Sequence, residues 1–518
     1  MTNKIRILWA DDEIEMLKPH IMYLEEKGYD VDAVNNGSEA VELVLENHYD
    51  IVFLDEQMPG MSGIEALENI KRSHPNLPVV MITKSEEESI MEDAIGSNIA
   101  DYLIKPVKPS QILLSLKRNL ENRKLAGEKA TMNYQQKFRE ISMKLSDRLD
   151  PEEWTAVYKE LVRYELDLDK SDDQGIIEVL NMQKSEANQA FCKFYERNYK
   201  DWLENSDEDT PTMSHTLIRD KVFPLLNKGK QIFLLLIDNL RYDQWKIIQP
   251  LIEQYYRVQQ DDIFYSILPT TTQYARNALF SGLMPNEIRK HYRQFWTDEH
   301  EEGSKNQHEE ELLNEMLKRH GKNAKVSYNK ILNLNAGRKL FENISNLMQN
   351  DLNIIVYNFV DMLSHARTEM EIIRELADDE PAYRSLMLSW FEHSSLFDII
   401  KYLAEKDITL LITTDHGSVR VQNPVKIVGD KTVNTNLRYK YGKSLAYNNK
   451  EVFEMANPEE YYLPKLNVSA RWAFTRSNDF FAYPNNYNYY VNYYRNTFQH
   501  GGISMEEVLI PCITLNAK

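Results

Sequence analysis

The chain has 518 residues, 42% hydrophobic and 27% charged, which as a prior makes about three ordinary globular domains. A formal net charge of −19 argues against duplex DNA as a partner, because a general DNA-binding surface needs clustered Lys and Arg. Two cysteines, Cys192 and Cys512, are too few for a disulfide framework, no stretch approaches the roughly 18 apolar residues of a membrane span, and the opening run MTNKIRILWADDE has no apolar core with a cleavage site. The expectation is a cytoplasmic protein that does not enter a membrane.

Residues 1–122 alternate short apolar runs with amphipathic stretches. Ile5–Trp9, Asp50–Leu54, Pro78–Ile82 and Ala100–Ile104 read as strands, and Glu13–Lys27 as a helix stopped by Gly28. Strand–helix alternation implies a doubly wound parallel sheet, whose chemistry lies beyond the carboxyl ends of the strands. Asp11, Asp12, Asp55, Thr83 and Lys105 all fall there. Three carboxylates at one mouth repel one another unless a cation joins them, and an all-oxygen set suits Mg²⁺.

Residues 123–207 read as a helical bundle. Tyr134, Phe138, Ile141, Leu145 and Leu149 recur at three- and four-residue steps, one apolar face of a helix. Asp150-Pro151-Glu152-Glu153 reads as N-cap, N1 and an acid at N3 of a second helix, and Ile176–Trp202 supports a third. The bundle is either a spacer or a relay for the state of the first domain. The polar run from Asn205 to Pro211 reads as a boundary.

In residues 208–518, Gln231–Ile237 is an apolar run ending at Asp238, Asn353–Val360 ends at Asp361, and Ile408–Thr414 ends at Asp415-His416-Gly417. Such runs suit strands buried on both faces, so three strands deliver an Asp to one edge. Asp361 and His365 are four apart, which puts them on one face of a helical turn. His500 precedes Gly501-Gly502, where backbone can approach a ligand closely. Mixed Asp and His ligands favour two Zn²⁺, with Mn²⁺ also admissible, and a two-metal site suits in-line displacement at phosphorus. Pro269-Thr270-Thr271-Thr272 offers hydroxyl nucleophiles. The acidic stretch Asp298–Glu311 reads as a solvated face, and His291 and His320 as surface residues. Tyr461, Tyr462, Tyr483, Tyr487, Tyr489, Tyr490, Tyr493 and Tyr494 crowd the end of the chain, either packed in an insertion or as a platform on which bases stack.

Asp55-Glu56-Gln57-Met58-Pro59-Gly60, Gly63 and Lys105-Pro106 resemble the receiver domain of response regulators across the first segment. That resemblance implies Mg²⁺ on Asp11, Asp12 and Asp55, phosphorylation of Asp55 by a sensor histidine kinase, and switch roles for Thr83, Tyr102 and Lys105, with a cis bond before Pro106. The order Asp, Thr, Asp-x-x-x-His, Asp-His-Gly, His resembles the alkaline phosphatase superfamily, in its PglZ branch. It implies one zinc on Asp361, His365 and His500, another on Asp238, Asp415 and His416, and a bridging threonine as nucleophile. By the pattern of the nucleotide phosphodiesterase branch, Pro269 and Ser281-Gly282 select Thr272, with Thr271 second. The whole arrangement resembles PorX-type response regulators. It implies a zinc phosphodiesterase for linear or cyclic oligonucleotides, homodimerisation on phosphorylation, a link to type IX secretion and a sigma factor as a further partner. The alternative is a non-catalytic PglZ regulator that binds a sigma factor or sensor kinase. The fold class expected is α/β: receiver (1–122), helical-bundle linker (123–207) and alkaline-phosphatase-like domain (208–518).

Overall fold

The computed structural model describes residues 5–74, 77–83, 99–169, 171, 173–205, 210–370, 373–374, 377, 379–429, 434–465 and 469–518. Within the polar run after Asn205, Ser206, Asp207, Glu208 and Asp209 lie outside the described residues. The chain divides into two compact units, Met1–Lys137 with Leu166–Ile177 and Phe138–Glu165 with Glu178–Lys518.

The first unit is built on a parallel sheet in the order β2-β1-β3-β4-β5, with β1 at Arg6–Ala10, β2 at Asp30–Val34, β3 at Ile51–Asp55, β4 at Val79–Thr83 and β5 at Asp101–Ile104. Helices α1 (Lys18–Glu26), α2 (Gly37–Glu46) and α3 (Gly63–Ser73) alternate with the strands. Strands β3 and β4 are buried at every position, and each sheet face carries its own apolar cluster, one around Leu8, Val52 and Leu54, the other around Trp9, Phe53 and Ile112. The expected helix from Glu13 is divided into a 3-10 turn at Ile14–Leu17 and α1, because Pro19 occupies the first turn of a helix that has to start afresh. Gly28 closes α1 with φ of +94°, a left-handed conformation that costs glycine nothing.

Helix α4 runs unbroken from Pro109 to Ser146. Helix α5 (Pro151–Leu168) opens on a reciprocal cap: the Glu153 amide donates to Asp150 Oδ1 at 2.8 Å and the Asp150 amide to Glu153 Oε2 at 3.0 Å. Helix α6 (Gln174–Glu204) follows. Trp154 of α5 packs on Phe191 and Phe194 of α6 at 5.4 and 5.7 Å between rings, and Trp202 of α6 packs edge-on against Tyr265 at 5.5 Å.

The second unit is organised by a six-stranded sheet in the order β7-β11-β10-β6-β9-β8. Its strands are β6 (Ile232–Ile237), β7 (Tyr256–Tyr265), β8 (Val326–Ile331), β9 (Leu352–Tyr357), β10 (Thr409–Thr413) and β11 (Leu509–Ala517). β10, β6, β9 and β8 are parallel neighbours, while β11 runs antiparallel between β10 and β7. Every residue of β6, β9 and β10 is buried, as continuous apolar runs require. Helix α7 (Tyr242–Ile252) follows β6. The expected strand over Asn353–Val360 stops at Tyr357, and Phe359–Glu369 is helix α8. Val360 is fully buried, and Phe359, half-buried, stacks on Trp390 with ring centroids 3.8 Å apart; an apolar run alone does not distinguish such helix packing from a strand. Between β10 and β11 an insertion carries two small three-stranded sheets.

Gly417 shows how tightly the loop after β10 is held, since a Cβ there would lie 2.0 Å from the carbonyl oxygen of Glu506. The oxygen belongs to backbone and a Cβ is fixed directly to it, so neither can swing aside. Gly417→Ala is expected to cost at least ~2 kcal/mol of stability in urea unfolding. A change within about 0.5 kcal/mol, the range of a surface substitution, would contradict this packing.

Candidate metal centre and phospho-acceptor site

In the first unit, β1 and β3 are neighbours, and their carboxyl ends bring Asp11, Asp12 and Asp55 together. One carboxylate oxygen of each lies within 4.8 Å of the others. Lys105, which follows β5 and precedes a cis bond to Pro106, reaches Asp11 Oδ2 at 3.0 Å and Asp55 Oδ1 at 2.9 Å. Thr83 ends β4, and its carbonyl accepts from the Lys105 amide at 2.7 Å. Tyr102 is exposed on β5 (44%). Burial pushes the Asp55 carboxyl up to about 6; Lys105 pulls it down and Asp11 adds to the rise. Asp55 Oδ2 is buried without a hydrogen-bond partner among the described residues. An all-oxygen cluster with an unmatched buried oxygen fits a hard divalent cation such as Mg²⁺.

In the second unit, β10, β6 and β9 are consecutive in the sheet, so the loops after them meet at one edge. Asp238 follows β6 directly. The next residue, Asn239, has φ of +65°, which Asn tolerates, and its amide donates to Ser364 Oγ at 3.2 Å and Asp361 Oδ1 at 3.5 Å. Asp415 and His416 follow β10. Asp361 sits in the first turn of α8, with His365 Nε2 3.6 Å from its carboxylate. Donor atoms of Asp238, Asp415 and His416 lie within 4.8 Å of one another, and so do those of Asp361, His416 and His500. His416 belongs to both groups; its ring stacks on His500 at 4.2 Å, and its Nδ1 faces the Gly417 carbonyl at 3.1 Å, which leaves Nε2 toward the carboxylates. The His365 side chain is 60% exposed, at the rim.

The threonines take distinct positions. Thr270 is clasped by backbone: its hydroxyl donates to Gly502 O at 2.9 Å and accepts from the Gly501 amide at 3.0 Å. Thr271 Oγ1 is buried without a partner among the described residues. Thr272 opens a π-helical turn through Arg276, and its Oγ1 lies 3.1 Å from His416 Nε2 and 3.4 Å from Asp238 Oδ1. Gly501 has φ of +122°, and a Cβ there would lie 2.7 Å from Tyr439, so packing against the insertion supplies a reason for glycine apart from the expected ligand approach.

The electrostatics are those of carboxylates assembled for cations. Burial and the neighbouring Asp238 hold Asp415 well above the usual carboxylate range, and Asp415 Oδ2 has no hydrogen-bond partner among the described residues. Burial, again with Asp238, pushes Asp361 up to about 6. For Asp238 itself burial pushes upward, but Arg276 and His416 outweigh it and hold the carboxyl below its usual range. Burial and the adjacent His416 and His365 keep His500 neutral, the form in which imidazole ligates a metal. This mixed nitrogen and oxygen donor set fits Zn²⁺.

Sequence reading missed one partner. Glu309 and Asp298, in the stretch expected to be a solvated acidic face, are only 1% and 4% exposed. Glu309 pairs with the Arg276 guanidinium, whose Nη1 reaches Asp238 Oδ2 at 2.7 Å, and also accepts from Tyr328 and Lys330. An acid in an acidic run carries no local signal of a buried cation brought to it from 33 residues away. His291 and His320 are exposed, as expected.

The comparisons with known proteins follow the same three parts. Residues 7–117 match the response regulator receiver domain, 124–203 the PorX response regulator linker domain, and 217–515 the BREX system PglZ alkaline phosphatase-like domain. The receiver segment is 36% identical over 116 residues to the transcriptional regulatory protein ResD of Bacillus subtilis, covering 22% of this chain and 48% of that one. It is 35% identical over 117 residues to SrrA of Staphylococcus aureus, covering 23% and 47%. The chain thus spans about half the length of these curated relatives. A CheY-like receiver domain structure from Methanospirillum hungatei is 27% identical over 23% of this chain and 96% of that one, with a TM-score of 0.22. Receiver, connector and alkaline-phosphatase-like domain on one polypeptide define a response regulator with a hydrolase-fold output. The chain belongs to the PglZ family, in the receiver–linker–PglZ order of the PorX-type response regulators. No helix among the described residues is long and apolar enough to cross a membrane.

The Asp55 shift has a consequence for stability. A carboxyl whose folded pKa is raised favours the folded state below its unfolded pKa, near 4, and loses that contribution as pH rises through about 6. In chelator at pH 7.5 the charged Asp55 therefore costs up to about 3 kcal/mol. Asp55→Asn is expected to raise the unfolding midpoint of the metal-free protein at pH 7.5, and the gain is expected to shrink toward pH 4.5. A midpoint that is unchanged or lower at pH 7.5 would refute the crowding of these carboxylates.

Proposed function

We propose that this response regulator has a two-zinc phosphodiesterase as its output, acting on linear or cyclic oligonucleotides in the cytoplasm. One observation carries this: Thr272 Oγ1 lies within hydrogen-bonding reach of Asp238 and His416, at the strand edge where Asp361, Asp415 and His500 also converge. In this reading Asp361, His365 and His500 hold one zinc, and Asp238, Asp415 and His416 the other. When bound, the cations supply Lewis-acid charge for the phosphoryl oxygens and lower the pKa of a nearby hydroxyl. Thr272 is the nucleophile; its bond to phosphorus forms as the bond to the leaving alkoxide breaks, and water then releases the phosphoryl group. The π-helical turn orients its hydroxyl, and Asn306 supports that turn by donating to the Thr272 carbonyl at 2.9 Å.

Two buried arginines favour a diester over a monoester. A monoester carries an extra anionic oxygen and calls for a further cation. Arg276 is committed to Asp238 and Glu309, and Arg241 to Asp243 and Glu380. The link to oligonucleotides, to type IX secretion and to a sigma factor rests on the resemblance to PorX-type regulators. A sensor histidine kinase phosphorylates Asp55 with Mg²⁺ on Asp11, Asp12 and Asp55, and the phosphorylated protein forms a homodimer.

Zinc-loaded protein is expected to hydrolyse bis-p-nitrophenyl phosphate faster than p-nitrophenyl phosphate. Thr272→Val is expected to lower the diester rate at least about a thousandfold, and Thr271→Val far less. A larger loss in Thr271→Val would move the nucleophile, and no hydrolysis of diesters or short oligonucleotides by protein with zinc bound would favour the non-catalytic regulator. Under a small-molecule phosphoryl donor, light scattering is expected to show dimers for the wild type and monomers for Asp55→Ala; equal dimerisation of the two would remove Asp55 from control.

A further inference from the structure

Helix α6 is more than a connector. From Asn188 to Tyr199, within the second unit, one of its faces bonds to the two segments that carry Thr272 and His500. The Tyr199 hydroxyl accepts from the Leu268 amide at 2.9 Å, immediately before the Pro269–Thr272 turn. The Tyr195 hydroxyl donates to the Ser266 carbonyl at 2.8 Å, and Ser266 Oγ donates in turn to the carbonyl of Asp415 at 2.8 Å. Asn188 accepts from the Met505 amide at 2.7 Å and donates to Glu506 at 2.8 Å, while the Cys192 thiol reaches the Ile503 carbonyl at 3.1 Å. The two segments also clasp each other through Thr270, which bonds Gly501 and Gly502 and whose carbonyl faces His500 Nδ1 at 3.3 Å.

Tyr195 and Tyr199 are fully buried and stacked at 4.8 Å, so water cannot substitute for their hydroxyls. A backbone amide deprived of its partner in such a place is costly, and the least costly response is for its loop to move. The site needs its donors placed within a fraction of an ångström, so such a movement is felt in chemistry before it is felt in folding.

We propose that Tyr199, Tyr195 and Asn188 of α6 are positioning residues of the metal site, holding the Thr272 and His500 segments in register with each other. This rests on the phosphodiesterase reading for its catalytic part and stands on geometry alone for its structural part.

The test uses the full chain and three variants. Tyr199→Phe and Asn188→Ala remove bonds to the two segments. Gln183→Met is the control, because the Gln183 amide bonds Phe138 O and Ser142 Oγ of α4, on another side of α6 from the bonds made by Asn188 and Tyr199. Two readouts are taken: zinc-dependent hydrolysis of bis-p-nitrophenyl phosphate, and amide hydrogen exchange of residues 266–276 and 500–507. Tyr199→Phe is expected to lower kcat about tenfold with KM changed less than about threefold, and to speed exchange at 266–276. Asn188→Ala is expected to act likewise, with faster exchange at 500–507. Gln183→Met is expected to leave both readouts at wild-type values. Wild-type exchange and kcat in Tyr199→Phe and Asn188→Ala would overturn the proposal, and so would the same changes in Gln183→Met, which would mark a general effect of linker stability. If the wild type hydrolyses no diester, the phosphodiesterase reading fails, and the exchange data alone decide whether α6 holds these segments.

Discussion

Much of the second unit follows from one electrostatic constraint: three carboxylates, Asp238, Asp361 and Asp415, delivered to one sheet edge by β6, β9 with its following helix, and β10. Asp238 and Asp415 are fully buried, and like charges so placed cannot all stay ionised without compensation. The protein compensates in part with Arg276, itself only 1% exposed and anchored from behind by Glu309. The remaining deficit is visible as raised pKa values at Asp361 and Asp415 and as an unmatched oxygen on Asp415. That deficit is what cations are suited to fill, and the neutral His500 and the doubly shared His416 supply the nitrogen side of the ligand set.

The same logic of alternating charge reaches into the connector. Lys184, Glu165, Arg384, Asp243, Arg241 and Glu380 form a chain of ion pairs that starts on α6 and α5, passes through Arg241 in the turn after Asp238 and ends at Glu380. Glu165, Arg384, Asp243 and Arg241 each have two partners in this chain, so each of these charges is compensated from both sides. With the tyrosine hydroxyls of α6 on the Thr272 side, these pairs make the later part of the connector an integral portion of the hydrolase-fold domain. A free spacer would have no reason to bury the Tyr195 and Tyr199 hydroxyls against the backbone of Ser266 and Leu268.

The exposed tyrosines of the insertion are a different matter. Tyr489 and Tyr490 are 64% and 40% exposed, and they stack along their own helix on Tyr493 and Tyr494. Tyr483 and Tyr494 are partly buried. Packing therefore accounts for some of the rings and leaves others open to solvent.

The candidate ligands were legible in the sequence because the chemistry restricts residue type and places it after a buried apolar run. Asp11, Asp55, Asp238, Asp415 and His416 all stand in such positions, as does the Lys105 that pairs with Asp11 and Asp55, and their local neighbours announce them. The Asp150–Glu153 cap was legible for the same reason, since its partners are three residues apart. The end of β9 was not, because Phe359 and Val360 are apolar in either conformation, and the half-buried stack of Phe359 on Trp390, brought from another helix, forms only in the folded chain. Glu309 and the inward face of α6 were hidden for a stronger reason. Their partners lie from tens to hundreds of residues away, and nothing in an acidic run or an aromatic helix says which side chain will meet a buried arginine or a loop amide. Local periodicity and residue chemistry determined the elements and the ligand types. Only the folded chain, by bringing distant segments into hydrogen-bonding range, decided which threonine faces the carboxylates and which helix holds it there.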